Sequence, residues 1–278
     1  MRDRNALILV LASLLSLPAL AADDQPWLAD RGPGLHTSLF GSYVEDEQLL
    51  LYAFYEYTKL DVFEYSPSEF GFPDPADYKG SGSETEFLLY GAYGFGEDLM
   101  VEFESAVHAK ASLDKSPLDP SAMPAHLEDS GLGDTEMQVR WRTQHETADR
   151  YEWLWYFEAV FPLQDASSLV GTSDWELAGG LNLTKGHPWG TLMYKLSLKY
   201  DEVDGNIELG EFAVEYLKRT SERWRFVAAV EGEDDEISAI GEAQYSFRKG
   251  MTLKLNLGLG LTEKAPSVAP EVGLMCSF

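Results

Sequence analysis

The chain has 278 residues, 45% of them hydrophobic and 24% charged, and its 47 Asp and Glu against 21 Lys and Arg give a formal net charge of −26. That size suits one domain, and so acidic a chain argues against nucleic acid and other polyanions as partners. A single cysteine, Cys276, excludes a disulfide framework.

The first residues read as an export signal. Arg2 and Arg4 precede an apolar run from Ala6 to Leu17, and Ala19-Leu20-Ala21 offers a small-x-small cleavage site. Residues 1–21 are therefore expected to be a cleaved signal peptide. Residues 22–47 carry Asp, Pro and Gly and read as an N-terminal periplasmic segment ahead of the main domain.

From residue 48 to the end the dominant pattern has period 2. Leu253, Leu255, Leu257, Leu259 and Leu261 alternate with Lys254, Asn256, Gly258 and Gly260. Met137, Val139 and Trp141 alternate with Glu136, Gln138, Arg140 and Arg142, and Trp153, Trp155 and Phe157 with Glu152, Tyr156 and Glu158. About twelve such segments of roughly ten residues succeed one another, the length a tilted membrane strand needs. They centre on Tyr52, Tyr90, Ser105, Gln138, Phe157, Gly180, Leu196, Ala213, Ala228, Ala243, Leu257 and Leu274, and the first two alternate poorly. No run beyond Ala22 reaches the ~18 apolar residues of a spanning helix.

The fold class expected is all-β: a transmembrane antiparallel barrel with an apolar face toward lipid and a charged lumen. A soluble sandwich or lipocalin-like barrel also alternates. Such a barrel has no reason to gather aromatic residues at one level or to carry charges on the inward face of nearly every strand. An even strand count places both termini in the periplasm and the long connections, 59–84 and 110–130, outside. Outer connections then hold Asp201, Glu202, Asp204 and the run Glu231 to Glu236, and inner turns hold Lys185, Lys218, Arg219, Arg223, Arg248 and Lys249. Trp141, Trp153, Trp189, Tyr216, Trp224, Phe247 and Phe278 fall at strand ends on one side, as an aromatic girdle does. Phe278 also ends the chain as the C-terminal strand signal of outer-membrane proteins does, which implies the barrel-assembly machinery as a partner, with outer-membrane lipid and lipopolysaccharide around the finished barrel.

Ser130-Gly131-Leu132-Gly133-Asp134, with the strand Thr135 to Arg142 after it, resembles a segment of proteobacterial outer-membrane proteins that includes those associated with the meta-pathway of phenol degradation and others of transporter type. Residues 26–32 and 269–273 are similar to segments of the same group. The resemblance implies an outer-membrane barrel and carries no active site. Here Gly131 and Gly133 are expected to let the backbone turn into the strand.

The lumen is the candidate site. Glu104, Glu136, Arg140, Glu158, Lys195, Glu215, Arg225, Glu242 and Lys254 are the expected pore-lining residues, accompanied by Glu102, Glu152, Glu176, Glu211, Arg142, Lys199 and Arg248. Such charges set ion selectivity where a pore is open, and close it where they pair. Eight-stranded barrels are filled and sixteen-stranded ones are open, so twelve strands leave both outcomes standing. The leading expectation is a narrow channel for small solutes, cationic or hydrophobic. The alternatives are a closed docking barrel and, third, a lipid-modifying enzyme. For the last, His108 is the one histidine placed mid-strand on the lumen face, and Ser173 lies in a turn without the form of a nucleophile elbow. No cofactor or metal is expected. The run Glu231 to Glu236 could take Ca²⁺, yet a solvated acidic loop is its simpler reading.

Overall fold

The structure, a computed structural model, describes residues 46–165, 168–202 and 205–278. The expected signal peptide and all but the last two residues of segment 22–47 lie outside these. The chain forms β1 (Leu49–Tyr65), β2 (Tyr78–Phe95), β3 (Leu99–Asp114), β4 (His126–Gly131), β5 (Thr135–Gln144), β6 (Glu152–Val160), β7 (Glu176–His187), β8 (Gly190–Asp201), β9 (Ile207–Arg219), β10 (Trp224–Glu233), β11 (Glu236–Arg248), β12 (Met251–Gly260) and β13 (Ala269–Ser277).

Every pairing of these strands is antiparallel, and the sheet closes where β1 meets β13, from Leu50 opposite Ser277 to Glu56 opposite Glu271. Twelve strands make the ring, one at each of the expected centres. The thirteenth, β4, pairs with the far half of β3, and β5 pairs with its near half. The long connections are thus shorter than the sequence suggests, 66–77 and 115–125, because β1 to β4 run on past the level where the other strands stop.

Alternation makes the wall inside-out. Trp155, Phe157, Leu196, Leu198, Leu255, Leu257, Val272 and Leu274 are exposed on the outer face, while Glu102, Arg140, Lys195, Glu242 and Lys254 are buried within. Exposed apolar area of this extent, set around a charged interior, is what lipid requires of a barrel.

The short turns gather at the end that carries Leu49 and Phe278, here the terminal end. Trp141, Trp153, Trp189, Trp224, Phe247 and Phe278 are exposed there. Tyr216 differs. It is buried, stacked beneath Trp189 at 5.8 Å and packed over Gly190, with its hydroxyl donating to the Trp189 carbonyl. Two expected turn cations are also internal. Lys185 donates to the carbonyls of Thr147, Ala148 and Arg150, and Lys218 to that of Trp189. They tie turns together instead of forming a basic surface. Asp46 caps the β2–β3 turn at this same end by accepting from the Gly96 amide.

At the loop end the tall strands enclose an apolar cluster of their own. Tyr65, Leu113 and Met123 form its centre, with Phe63, Phe70, Phe72, Tyr78 and Leu127 against them. The acidic run also differs from expectation. Glu231 and Glu233 belong to β10 and Glu236 to β11, leaving Asp234 and Asp235 as the turn.

Candidate functional site

β3 shows how the wall aims its side chains. From the terminal end Met100, Glu102, Glu104 and Ala106 face inward. Between Phe87 and Leu88 of β2 the register slips, with His108 opposite Phe87 and Ala106 opposite Leu88. Val107 is the extra residue, a β-bulge. Beyond it Ala109, Ala111 and Leu113 are the inward residues, and His108 shares the outer face with Phe87. The expected lumen position of His108 is therefore reversed. Ser173 bonds Asp174 in the 161–175 connection, and among the described residues no serine hydroxyl bonds a histidine.

The Gly-Leu-Gly-Asp segment begins on the last residue of β4 and spans the break before β5. Neither Gly131 nor Gly133 has a positive φ, so turning freedom is not their role. A Cβ on Gly133 would lie 2.7 Å from Ala106 Cβ and 2.9 Å from a Glu86 carboxylate oxygen. Gly133 is a place of close approach. Asp134 accepts from the Thr172 amide, and Asp129 from Ser168 and Leu169. Residues 168–172 are thereby tied inward, and Val170 joins the apolar cluster inside the barrel with Tyr52, Phe54, Leu88 and Tyr90.

Two chains of polar contacts start at Tyr52 and Tyr90, which are opposite one another on β1 and β2, and run in opposite directions around the lumen. Tyr90 donates to Glu102 at 2.5 Å, Glu102 pairs with Arg140 at 2.9 Å, Arg140 donates to Gln138, and Gln138 to Glu158. On the other side Tyr52 donates to Glu271, Lys254 lies 3.9 Å from Glu271 and 3.1 Å from Glu242, and Gln244 donates to Glu242. Lys195 pairs with Glu211. Nearly every member of this belt is buried, Lys254 to 3% exposure. Charged hydrogen bonds that satisfy one another are the condition for holding such groups out of water.

Beyond the belt, toward the loop end, lie two cavities. The first, about 390 Å³, is lined by Glu104, Glu136, Glu158, Lys195 and Lys199, with Arg140 and Glu102 at its base. The second, about 290 Å³, is lined by Glu56, Glu215, Glu231, Glu242, Lys254 and Glu271. Both touch Glu211 and Glu233. Lys199 is held between Glu176 at 3.1 Å and Glu233 at 3.3 Å. Glu104 and Glu136 are direct cross-strand neighbours, and no cation lies within ion-pair distance of either among the described residues. The same holds for Glu56, Glu84, Glu86 and Glu231. Like charges directly opposite are unfavourable, and this chamber gathers carboxyl groups that no ion pair engages.

Of the expected pore-lining residues, Arg140, Glu158, Lys195, Glu242 and Lys254 enter the belt, while Glu104 and Glu136 face the chamber. Glu215 and Arg225 are buried on inner positions of β9 and β10, and Arg248 is exposed at the terminal rim. Glu56, Glu84, Glu86 and Glu231 are inward carboxylates that the sequence did not place in the lumen, and of these Glu56 and Glu231 line the second cavity. The first three sit on strands whose alternation is poor, and Glu231 is hidden in an acidic run. Among the described residues no cluster of His, Cys, Asp and Glu has metal-binding geometry.

No protein-family model matches the chain, and no curated protein matches its sequence. Solved structures do match in shape. The COG4313 outer membrane channel from Pseudomonas putida F1 superposes with a TM-score of 0.58 at 12% identity, covering 88% of this chain and 100% of that one. The KdgM porin gives 0.49 at 10% identity over 82% and 99%. The toluene transporter TbuX from Ralstonia pickettii gives 0.41 at 9% identity over 84% and 89%. The chain has the closed twelve-stranded antiparallel fold of an outer-membrane β-barrel.

Proposed function

We propose that this protein is an outer-membrane channel for small solutes that favours cations. The observation that carries the reading is the imbalance inside the barrel. The belt cations Arg140, Lys195 and Lys254 and the chamber's Lys199 are all engaged by carboxylates, whereas Glu104, Glu136, Glu56, Glu84, Glu86 and Glu231 are not engaged by cations. A low-dielectric wall focuses such a field and raises the local concentration of counter-ions. In this reading both termini are periplasmic, the tall β1 to β4 wall faces outside, the six exposed girdle residues sit at the inner headgroup level, and Phe278 serves assembly. Lipid and lipopolysaccharide surround the barrel, and the phenol-pathway group offers a functional analogy for its solutes.

Purified protein in planar bilayers under a KCl gradient tests this. Discrete conductance with a reversal potential toward the potassium equilibrium value is expected, and Glu104→Gln with Glu136→Gln shifts that potential toward zero. A preference for chloride defeats the reading. A second reading, a closed docking barrel, is favoured by the burial of the belt, and silence at all voltages would defeat the channel in favour of a closed barrel.

A further inference from the structure

One arrangement occurs twice in the lumen. On β1, Tyr52 lies across Gly273 of β13, where an added Cβ would meet its ring at 2.5 Å. The ring reaches the next strand, β12, and the Lys254 ammonium stands 4.7 Å from its centroid. Glu242 of β11, the strand after that, takes the ammonium at 3.1 Å. On β6, Tyr156 lies across Gly180 of β7, at 2.6 Å from an added Cβ. Its ring reaches β8, where the Lys195 ammonium stands 5.1 Å from the centroid, and Glu211 of β9 takes that ammonium. Each is a run of tyrosine, glycine, lysine and glutamate on four consecutive strands, and the two lysines line different cavities, Lys195 the first and Lys254 the second.

An aromatic face and a carboxylate converging on one ammonium form a recognition site for that group. Here the site is filled by the protein's own side chain, so its chemistry can be read from what it already holds. We propose that the two cavities are subsites for a primary alkylammonium solute, and that Lys254 and Lys195 are built-in competitors that the solute's ammonium replaces against Glu242 with Glu271 and against Glu211. The inference rests on the cation-preferring reading above and names the class of cation. The N–H donors matter: a quaternary ammonium of similar size can use the ring but cannot donate to the carboxylates. A tethered competitor acts at an effective concentration of order mM or more, so its removal exposes the latent affinity.

The test uses the full-length protein in planar bilayers with n-butylammonium chloride and tetramethylammonium chloride as probes. In the wild type, butylammonium is expected to reduce potassium current at a concentration at least about tenfold below that needed for tetramethylammonium. In Lys254→Ala the butylammonium concentration for half-block falls a further tenfold or more, tetramethylammonium changes little, and Lys254→Arg behaves as wild type. If Lys254→Ala leaves too few folded barrels, Lys195→Ala is measured instead, because half-exposed Glu211 remains solvated when its partner is lost. Equal block by both probes, or half-block unchanged in the alanine variants, overturns the proposal while a potassium-selective current leaves the channel reading intact. A chloride-selective or silent wild type removes both.

Discussion

Glu102 and Glu104 are two residues apart on β3 and face the same lumen, yet they do different work. Glu102 receives the Tyr90 hydroxyl and the Arg140 guanidinium. Glu104 stands opposite Glu136 with no cation near it. The same contrast separates belt from chamber all around the barrel. A buried carboxylate with its partners holds strands together, and one without them is, in the proposed channel, the source of cation preference. The difference lies in what the neighbouring strand presents, not in the residue.

The largest effect that would sharpen this contrast is expected from Arg140→Leu. It leaves Glu102 buried beside a lost charge partner, and breaking a buried pair in this way costs about 3–5 kcal/mol. The urea midpoint of the folded barrel, followed on unheated gels, should fall accordingly. Glu104→Gln should leave that midpoint unchanged or raise it while moving the reversal potential. A matching loss of stability in both variants would erase the distinction between belt and chamber.

Next come the glycines that let the tyrosines lie flat. Gly273→Ala and Gly180→Ala force a ring away from contacts near 2.5 Å, and overpacking of this kind costs about 1–3 kcal/mol. Gly91→Ala, whose added Cβ meets its nearest neighbour at 3.5 Å, is the control. Denaturation of the three variants side by side checks the order, and a control as damaged as the other two would remove the special standing of the tyrosine sites.

The smallest effect belongs to the loop end. Lys264 pairs with Asp235 at 2.8 Å and with Glu64 at 2.8 Å. The hydrogen bond to Lys264 holds the Asp235 carboxyl below its usual range, and the hydrogen bond to Asp235, then that to Glu64, raises the Lys264 ammonium above its own. The Asp235 contribution is present above the unfolded value of ~3.9 and is lost as pH falls through the lower folded value. The Lys264 contribution is present below ~10.4 and is lost as pH rises through the higher folded value. Protease cleavage within 261–268 should therefore be slowest between about pH 4 and 10 and quicken on either side. An acid-stable protease giving the same rate at pH 3 and pH 7 would remove this link.

Much of the wall was legible because lipid outside and charge inside enforce period 2. Strand centres from Ser105 to Leu274 come from that alone. β1 and β2 were harder for a physical reason. Their inner positions Leu50, Tyr52, Phe54 and Leu88 join an apolar cluster inside the barrel, so both faces are apolar and alternation fades. The lumen glutamates beyond that cluster, Glu56, Glu84 and Glu86, faded with it. β4 was missed because His126 to Gly131 stands beyond the apolar band, where nothing demands an alternating face. Which glutamates are paired was not legible either. Pairing depends on register between strands far apart in sequence, as Tyr52 with Glu271 shows.

Val107 carries one more consequence. Counted along β3, even numbers point in before it and odd numbers after it, so this residue works as a parity bit for the rest of the strand. Were the strand to alternate straight through it, Lys110, Ser112 and Asp114 would be delivered to the interior, and Ala109, Ala111 and Leu113 to the outside. Deleting Val107 would instead leave the inner surface unchanged, because His108 would then follow Ala106 in regular alternation. One inserted residue thus lets a single strand switch from a charged inner face to an apolar one without a break in its outer wall.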